Sequence, residues 1–308
     1  MQYKKLPNAD LNISVISLGT WVFGGDVFGK AEEKDCIEAV HAAIDNGINL
    51  IDTAPIYGYG ASEKIVGKAI KGKRDKVIIA TKCGLKGKGP GITIDLSANF
   101  IKQEIENSLK RLETDYIDLY QCHWYDANTP MQETMNELCG LQKQGKIKYI
   151  GISNFTVDAI KEAQKYADIK TLQGHYSLLE RSIEKDILPY CQQKNIGIIT
   201  YGSLGGGILS GKYEKEPKFA GSDARSFFYK FYKGAGFEQS KKTIAALKEI
   251  SERIKKPAAQ IALNWIRQKP GILSAIAGAR NSIQAAANAA SADWELSPQD
   301  IKLLDNAL

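Results

Sequence analysis

Apolar, β-rich runs alternate with amphipathic helical runs along almost all of this 308-residue chain. Such alternation folds into a parallel sheet covered by helices, because parallel neighbours need a crossover that returns the chain to the same edge. The strand-like runs are residues 15–19, 49–52, 77–82, 117–123, 147–152, 171–174, 197–201 and 272–277. Helical runs occupy 35–46, 62–70, 97–112, 131–144, 156–167 and 183–194. Two more helices, 239–255 and 257–269, precede the last strand; 282–290 and a terminal helix to Leu308 follow it. In the first helix Ile37, Val40, His41 and Ile44 form one stripe, and Ser62 suits the N-cap of the second. Eight strands with eight crossovers predict a closed parallel (β/α)8 barrel with a C-terminal helix, spanning 1–308 as one domain. An open doubly wound sheet would carry a Gly-rich fingerprint directly after its first strand. Here Gly19-Thr-Trp-Val-Phe-Gly-Gly25 follows, which does not read GxGxxG.

A long stretch, 203–237, separates the seventh strand from the next helix. It carries Lys212, Arg225 and several aromatic residues, so it reads as a lid over an anionic ligand or as a disordered insertion.

Composition narrows the function classes. The formal net charge is +6, yet Lys and Arg never run longer than two, so no nucleic-acid stripe is expected. No apolar stretch approaches the roughly 18 residues of a membrane span, and Met1–Pro7 lacks the apolar core of a signal peptide. The five cysteines show no CxxC spacing, which argues against a disulfide framework or a metal site and for reduced thiols in a cytoplasm. No exposed apolar stripe marks an interface, so a monomer or weak oligomer is expected.

Chemistry in a barrel sits at the C-terminal ends of the strands. Strand two ends at Asp52, with Tyr57 in the loop beyond; strand three ends at Lys82 and strand four at His123. The other ends carry Ser153-Asn154, Gln173, Tyr201-Gly-Ser203 and Gly278-Ala-Arg280. A lone phenol, with a pKa of about 10, is a poor proton relay at neutral pH. A nearby ammonium favours the phenolate and lowers that value, and a carboxylate keeps the ammonium charged and fixed. Asp52 can anchor Lys82, Lys82 can tune Tyr57, and His123 can position a carbonyl oxygen. Together they suit delivery of a proton to a developing alkoxide. Taken singly, each has a plainer reading: a turn aspartate, a barrel-mouth salt bridge, a core histidine.

At this point the chain resembles the aldo-keto reductase family, in particular its bacterial general-stress type. The resemblance lies in Gly47-Ile-Asn-Leu-Ile-Asp-Thr-Ala-Pro-Ile-Tyr-Gly58, Ser62-Glu63, Gly67, Thr81-Lys82 and Leu109-Lys-Arg-Leu-Glu-Thr-Asp-Tyr-Ile-Asp-Leu-Tyr-Gln-Cys-His123. It continues through Gly145-Lys-Ile-Lys-Tyr-Ile-Gly-Ile-Ser-Asn-Phe155, Tyr201-Gly-Ser-Leu-Gly-Gly-Gly-Ile-Leu-Ser-Gly-Lys212 and Gly278-Ala-Arg280. It implies NADPH-dependent interconversion of aldehydes or ketones with alcohols, with Tyr57 as general acid, Lys82 and Asp52 as its tuning pair, and His123 orienting the carbonyl. Ser153, Asn154 and Gln173 would hold the nicotinamide amide, and Tyr201 would stack on its ring or be a buried barrel-end aromatic. Thr20, Trp21 and Asp52 would border the cofactor. Gly202, Ser203, Leu204, Gly205 and Gly206 would pass its pyrophosphate, with Lys212 and Arg225 closing over. Gly278, Ala279 and Arg280 lead into a helix whose N-terminus suits a phosphate; Arg280 would pair the 2′-phosphate of NADP(H). Gln284 and Asn288 would meet the adenine ribose, or form a solvated helix face. The run 285–290 lacks the acidic residue many members place near Gln284, which implies looser cofactor retention.

The resemblance implies a small-molecule carbonyl substrate. Trp21, Phe23, Trp124 and Tyr125, with Tyr57 and His123, would wall an apolar pocket for it, unless the aromatics are ordinary surface or core residues. The alternative from another class is an NADPH-binding sensor of the same fold with little turnover.

Overall fold

The computed structural model describes residues 1–25 and 27–307. Two short antiparallel strands, β1 (Tyr3–Lys5) and β2 (Asn12–Ser14), come first. Eight parallel strands then close into a barrel: β3 (Ile16–Gly19), β4 (Leu50–Asp52), β5 (Ile78–Cys83), β8 (Ile117–Cys122), β9 (Ile147–Ser153), β10 (Ile169–His175), β11 (Gly197–Tyr201) and β12 (Ile272–Gly278). Each pairs with the next in sequence, and β12 returns to β3 with Gly278 beside Gly19. A small pair, β6 (Leu85–Lys86) and β7 (Thr93–Ile94), decorates the loop after β5. The barrel expected from the alternation is the one observed.

Strand side chains alternate between faces, and this places the polar groups. Leu50, Ala80 and Leu119 lie in the apolar interior with two residues of the β1–β2 hairpin, Ile13 from the middle of β2 and Leu6 just after β1. Two residues further along each strand come Asp52, Lys82 and Gln121, so the same inward rows turn polar at the C-terminal end. Register pairs Asp52 with Ala80 and Lys82 with Gln121. The hairpin was not foreseen: its strands are three residues each, too short to show an alternation.

The outer layer comprises α1 (Glu33–Asp45), α2 (Ala61–Ile70), α3 (Ala98–Leu112), α4 (Met131–Lys143), α5 (Val157–Ala163) and α6 (Ile187–Gln193). A single turn α7 (Ala224–Phe227) leads to α8 (Gly234–Ile254), α9 (Ala258–Gln268), α10 (Ser282–Ala289) and α11 (Pro298–Asp305). Leu308, the expected end of the last helix, lies outside the described residues. The buried face of α1 is Cys36, Ala39, Val40 and Ala43, which shares only Val40 with the expected stripe. Small residues let α1 approach its neighbours α2 and α10 closely, while the larger Ile37 and Ile44 lie at the flank. His41 bonds Ala69 O through Nε2 at 2.9 Å.

Ser62 is not a cap. Gly60 holds that position at φ +95°, and Ser62 is buried as the second residue of the helix. Gly67 lets α2 rest on the end of α3: a β-carbon there would stand 2.7–2.9 Å from main-chain atoms of Arg111 and Leu112. Gly67→Ala gains about 1 kcal/mol of helix propensity but overpacks a backbone contact that costs typically 1–3 kcal/mol. A net loss is expected, seen as a Tm lower by a few degrees in thermal denaturation. An unchanged or raised Tm would show that the α2–α3 contact yields easily.

The stretch 203–237 is ordered rather than idle. A 3-10 segment Gly205–Ser210, α7 and a further turn Lys230–Tyr232 run through it, and α8 starts at Gly234. Ala224 N–H donates to Val27 O at 2.6 Å, tying it to the loop after β3.

Candidate active site

Asp52, Lys82 and Tyr57 meet at the C-terminal mouth of the barrel. Lys82 Nζ donates to Asp52 Oδ1 at 2.7 Å and Oδ2 at 2.9 Å, to Thr53 O at 3.0 Å and to the Tyr57 hydroxyl at 3.3 Å. Lys82 is fully buried and Asp52 nearly so. Such a pair holds in a low-dielectric site because every donor and acceptor is met. Gln173 Nε2 adds a bond to Asp52 Oδ1 at 2.6 Å.

The phenol departs from expectation. Burial, and then the Asp52 carboxylate, push the Tyr57 pKa well above the usual phenol value. The ammonium was expected to lower it, but removing a phenolate from water outweighs that attraction. Tyr57 is therefore held protonated, and because Lys82 donates to its oxygen, the phenolic proton remains free to leave toward a substrate. Burial lowers the Lys82 pKa too, against the opposing pull of Asp52 and, less, Glu63.

His123 sits edge-on to Tyr57, ring centroids 6.0 Å apart at 82°. Burial first, then the Lys82 charge, hold its pKa well below 6.5, so the imidazole is neutral near pH 7. The folded value lies below the unfolded one, so below about pH 6.5 the unfolded chain takes up a proton that the folded chain refuses. Stability is whole above that pH and falls as pH drops, by up to about 1.4 kcal/mol per unit for this group. Denaturant titrations at pH 7.0 and at about one unit below 6.5 should show a smaller drop for His123→Gln than for the unsubstituted protein. Equal drops would mean that His123 charges freely in the fold.

A second set of bonds fixes this constellation from behind. Thr20 Oγ1 donates to Asp52 O at 2.8 Å, and Ser62 Oγ donates to Thr20 Oγ1 at 2.7 Å. Thr20 is wholly buried, and its hydroxyl holds the backbone at Asp52. Phe23 is likewise buried in the core, because the 3-10 turn Trp21–Gly24 tucks it inward. Trp21 remains at the site, stacked on Tyr57 at 5.8 Å and 22°. Trp124 and Tyr125 stand exposed at the rim.

Along the mouth, Asn154 adopts φ +59°, a conformation asparagine tolerates better than most residues. Its Nδ2 donates to His123 O and Ser153 Oγ, both at 3.0 Å, and its Oδ1 accepts from the Tyr201 hydroxyl at 2.8 Å. Ser153 Oγ donates to Gln173 O at 3.0 Å. The Tyr201 ring is half-buried and stacks on His175. Gly202, Gly205, Gly206 and Gly207 all have positive φ, which turns the main chain where other residues would be strained. Ser203 is buried on Thr200 O, and Leu204 is half-buried.

The cations expected over the phosphates are already partly engaged. Arg225 grips Asp223 through Nε at 2.8 Å and Nη2 at 2.5 Å, and holds that carboxyl below its usual range, with a smaller contribution from Arg280. Lys212 is exposed, over the Tyr213 ring at 4.9 Å. Arg280 Nη2 donates to Phe28 O, and Arg280 N–H donates to Gln284 Oε1 at 2.9 Å. Ala279 is buried and Gly278 exposed. Asn288 is buried and donates to Gly278 O at 3.1 Å, so it braces the loop rather than lying on a solvated face.

These residues fit a dinucleotide. Gln173 spends its amide N–H on Asp52 and bonds nothing described through its oxygen, which leaves that acceptor for a carboxamide. The Tyr201 ring, the turned glycines and the α10 N-terminus follow one after another. Among the described residues no cluster of His, Cys, Asp or Glu could hold a metal, and no helix is long and apolar enough to cross a membrane.

Comparison with known proteins gives the family. Residues 15–308 match the Aldo/keto reductase family. The chain is 42% identical to aldo-keto reductase YhdN of Bacillus subtilis, over 100% of this chain and 94% of that protein. It is 33% identical to the NADH-specific methylglyoxal reductase of Escherichia coli, over 98% and 97%. Its fold superposes on the glycerol dehydrogenase AKR11B4 from Gluconobacter oxydans with a TM-score of 0.90 and 36% identity, over 99% of this chain and 94% of that one. An aldo-keto reductase from Klebsiella pneumoniae in complex with NADPH superposes with a TM-score of 0.77 at 29% identity, over 99% and 95%. The chain belongs to the aldo/keto reductase family and is an NADP-dependent oxidoreductase.

Proposed function

We propose that the protein reversibly reduces aldehydes or ketones to alcohols, with Tyr57 as proton donor. NADPH, when bound, supplies the hydride. The observation that carries this reading is the buried Lys82 ammonium, 3.3 Å from the Tyr57 oxygen and pinned on both oxygens of Asp52. A phenol kept protonated by burial passes its proton to a stronger base, the developing alkoxide, and the Lys82 ammonium partly offsets the charge left on its oxygen. Neutral His123 offers a hydrogen bond to the carbonyl oxygen without adding a second charge beside Lys82. Gln173, Asn154 and Ser153 would hold the nicotinamide amide, Tyr201 its ring face, and the turned glycines the pyrophosphate. Arg280 would hold the 2′-phosphate, a guanidinium having donors left after Phe28 O.

The direct test is NADPH oxidation against a panel of aldehydes, ketones and sugars, with NADH in parallel. Turnover of carbonyl compounds supports the reading. Tight NADPH binding with no turnover of any carbonyl would sink it and favour the cofactor sensor.

A further inference from the structure

We propose that His175 is a positioning residue: it sets the plane of the Tyr201 ring on which the nicotinamide lies. The proposal rests on the reading above for Tyr201 itself. The Tyr201 ring is held at two points, its Cβ and its hydroxyl, which donates to Asn154 Oδ1 at 2.8 Å. Both points lie on the long axis of the ring. They fix where the ring is but not its rotation about that axis, a torsion with a broad intrinsic minimum. A flat contact on the ring face can set it; Phe228, another ring beside Tyr201, is tilted at 46° with centroids 6.4 Å apart.

His175 supplies that contact. Its imidazole lies 5.0 Å from the Tyr201 ring, centroid to centroid, and within 11° of parallel. The imidazole is itself enclosed, with Phe228 at 5.8 Å and Tyr229 edge-on at 5.9 Å. Gly202 makes room for it: a β-carbon there would come within 2.5 Å of the imidazole Cδ2 and Nε2. The residue after Tyr201 must therefore lack a side chain for the imidazole to lie flat. His175 Nε2 is buried without a partner, so its nitrogen anchors the ring to nothing in the protein and the face contact is what remains. Burial holds the imidazole neutral, which lets it stack as an ordinary aromatic.

The test is an NADPH titration of the free protein by intrinsic fluorescence, with thermal denaturation alongside. His175→Ala frees the ring and should weaken NADPH binding roughly 2- to 12-fold, the range expected for one aromatic pair. His175→Phe keeps a flat face and drops the unpartnered nitrogen; it should bind within about twofold of the unsubstituted protein, with an equal or higher Tm. His175→Leu fills the space without a plane and should bind as weakly as the alanine variant. A role in packing alone predicts instead that the leucine variant binds like phenylalanine, and that result overturns the proposal. So does an alanine variant with unchanged affinity. Failure of the underlying reading looks different: Tyr201→Ala would then bind NADPH as well as the unsubstituted protein. If the alanine variant does not fold, the phenylalanine–leucine comparison decides.

Discussion

Replacing Tyr57 by phenylalanine will lower kcat for carbonyl reduction by about 10²- to 10⁴-fold, the usual worth of a positioned proton donor, and will leave NADPH binding nearly unchanged. The phenyl ring keeps the stack on Trp21, so the walls of the site stay in place. What is lost is the one group whose pKa is raised by burial and whose oxygen sits on the Lys82 ammonium. Steady-state kinetics with a simple aldehyde, paired with an NADPH titration, measures both halves. A kcat within tenfold of the unsubstituted enzyme would mean that another group donates the proton, and His123 would be the next to examine.

Lys82→Met has the second large effect, and it reaches stability as well as rate. Removing the ammonium strands the buried Asp52 carboxylate with only the Gln173 amide as side-chain donor. Breaking one side of a buried pair costs about 3–5 kcal/mol. Turnover should fall along with it, because Tyr57 loses the cation that stabilises its phenolate. Adding Asp52→Asn removes the stranded charge and should restore much of the stability while leaving the rate low. Denaturant unfolding of the single and double variants gives the comparison. A double variant no more stable than the single one would show that the carboxylate is not the seat of the loss.

The two effects separate because the charged pair has two jobs. It satisfies a polar layer laid over an apolar barrel interior, and it sets the proton affinity at one oxygen. Leu50, Ala80 and Leu119 show the first of these: each is followed two positions later by a polar side chain on the same inward row. That pattern is local, which is why Asp52, Lys82 and His123 could be read from strand-like runs alone, with Tyr57 close behind.

Other features were out of reach for reasons that can be named. Phe23 looks like any loop aromatic in the sequence; a 3-10 turn sends it inward. Thr20 sits beside the site in sequence but is spent on Asp52 O and Ser62. The direction of the Tyr57 pKa depends on how much water the folded loops exclude, which spacing does not encode. His175 gave no periodic signal, and its meaning rests on Tyr201 and Gly202, over twenty-five residues away at and just past the end of the next strand.

The linear order of residues by itself determined the barrel, since strand and helix periodicities are set by near neighbours and successive parallel strands have short routes back to the same edge. It also determined which end gathers the polar side chains, because polar residues close the strand runs there. Tertiary structure alone decided which of those groups touch, which are shut away from water, and how the protons are held. Those outcomes come from contacts between distant segments, where burial and distance fix the balance between charge attraction and lost hydration.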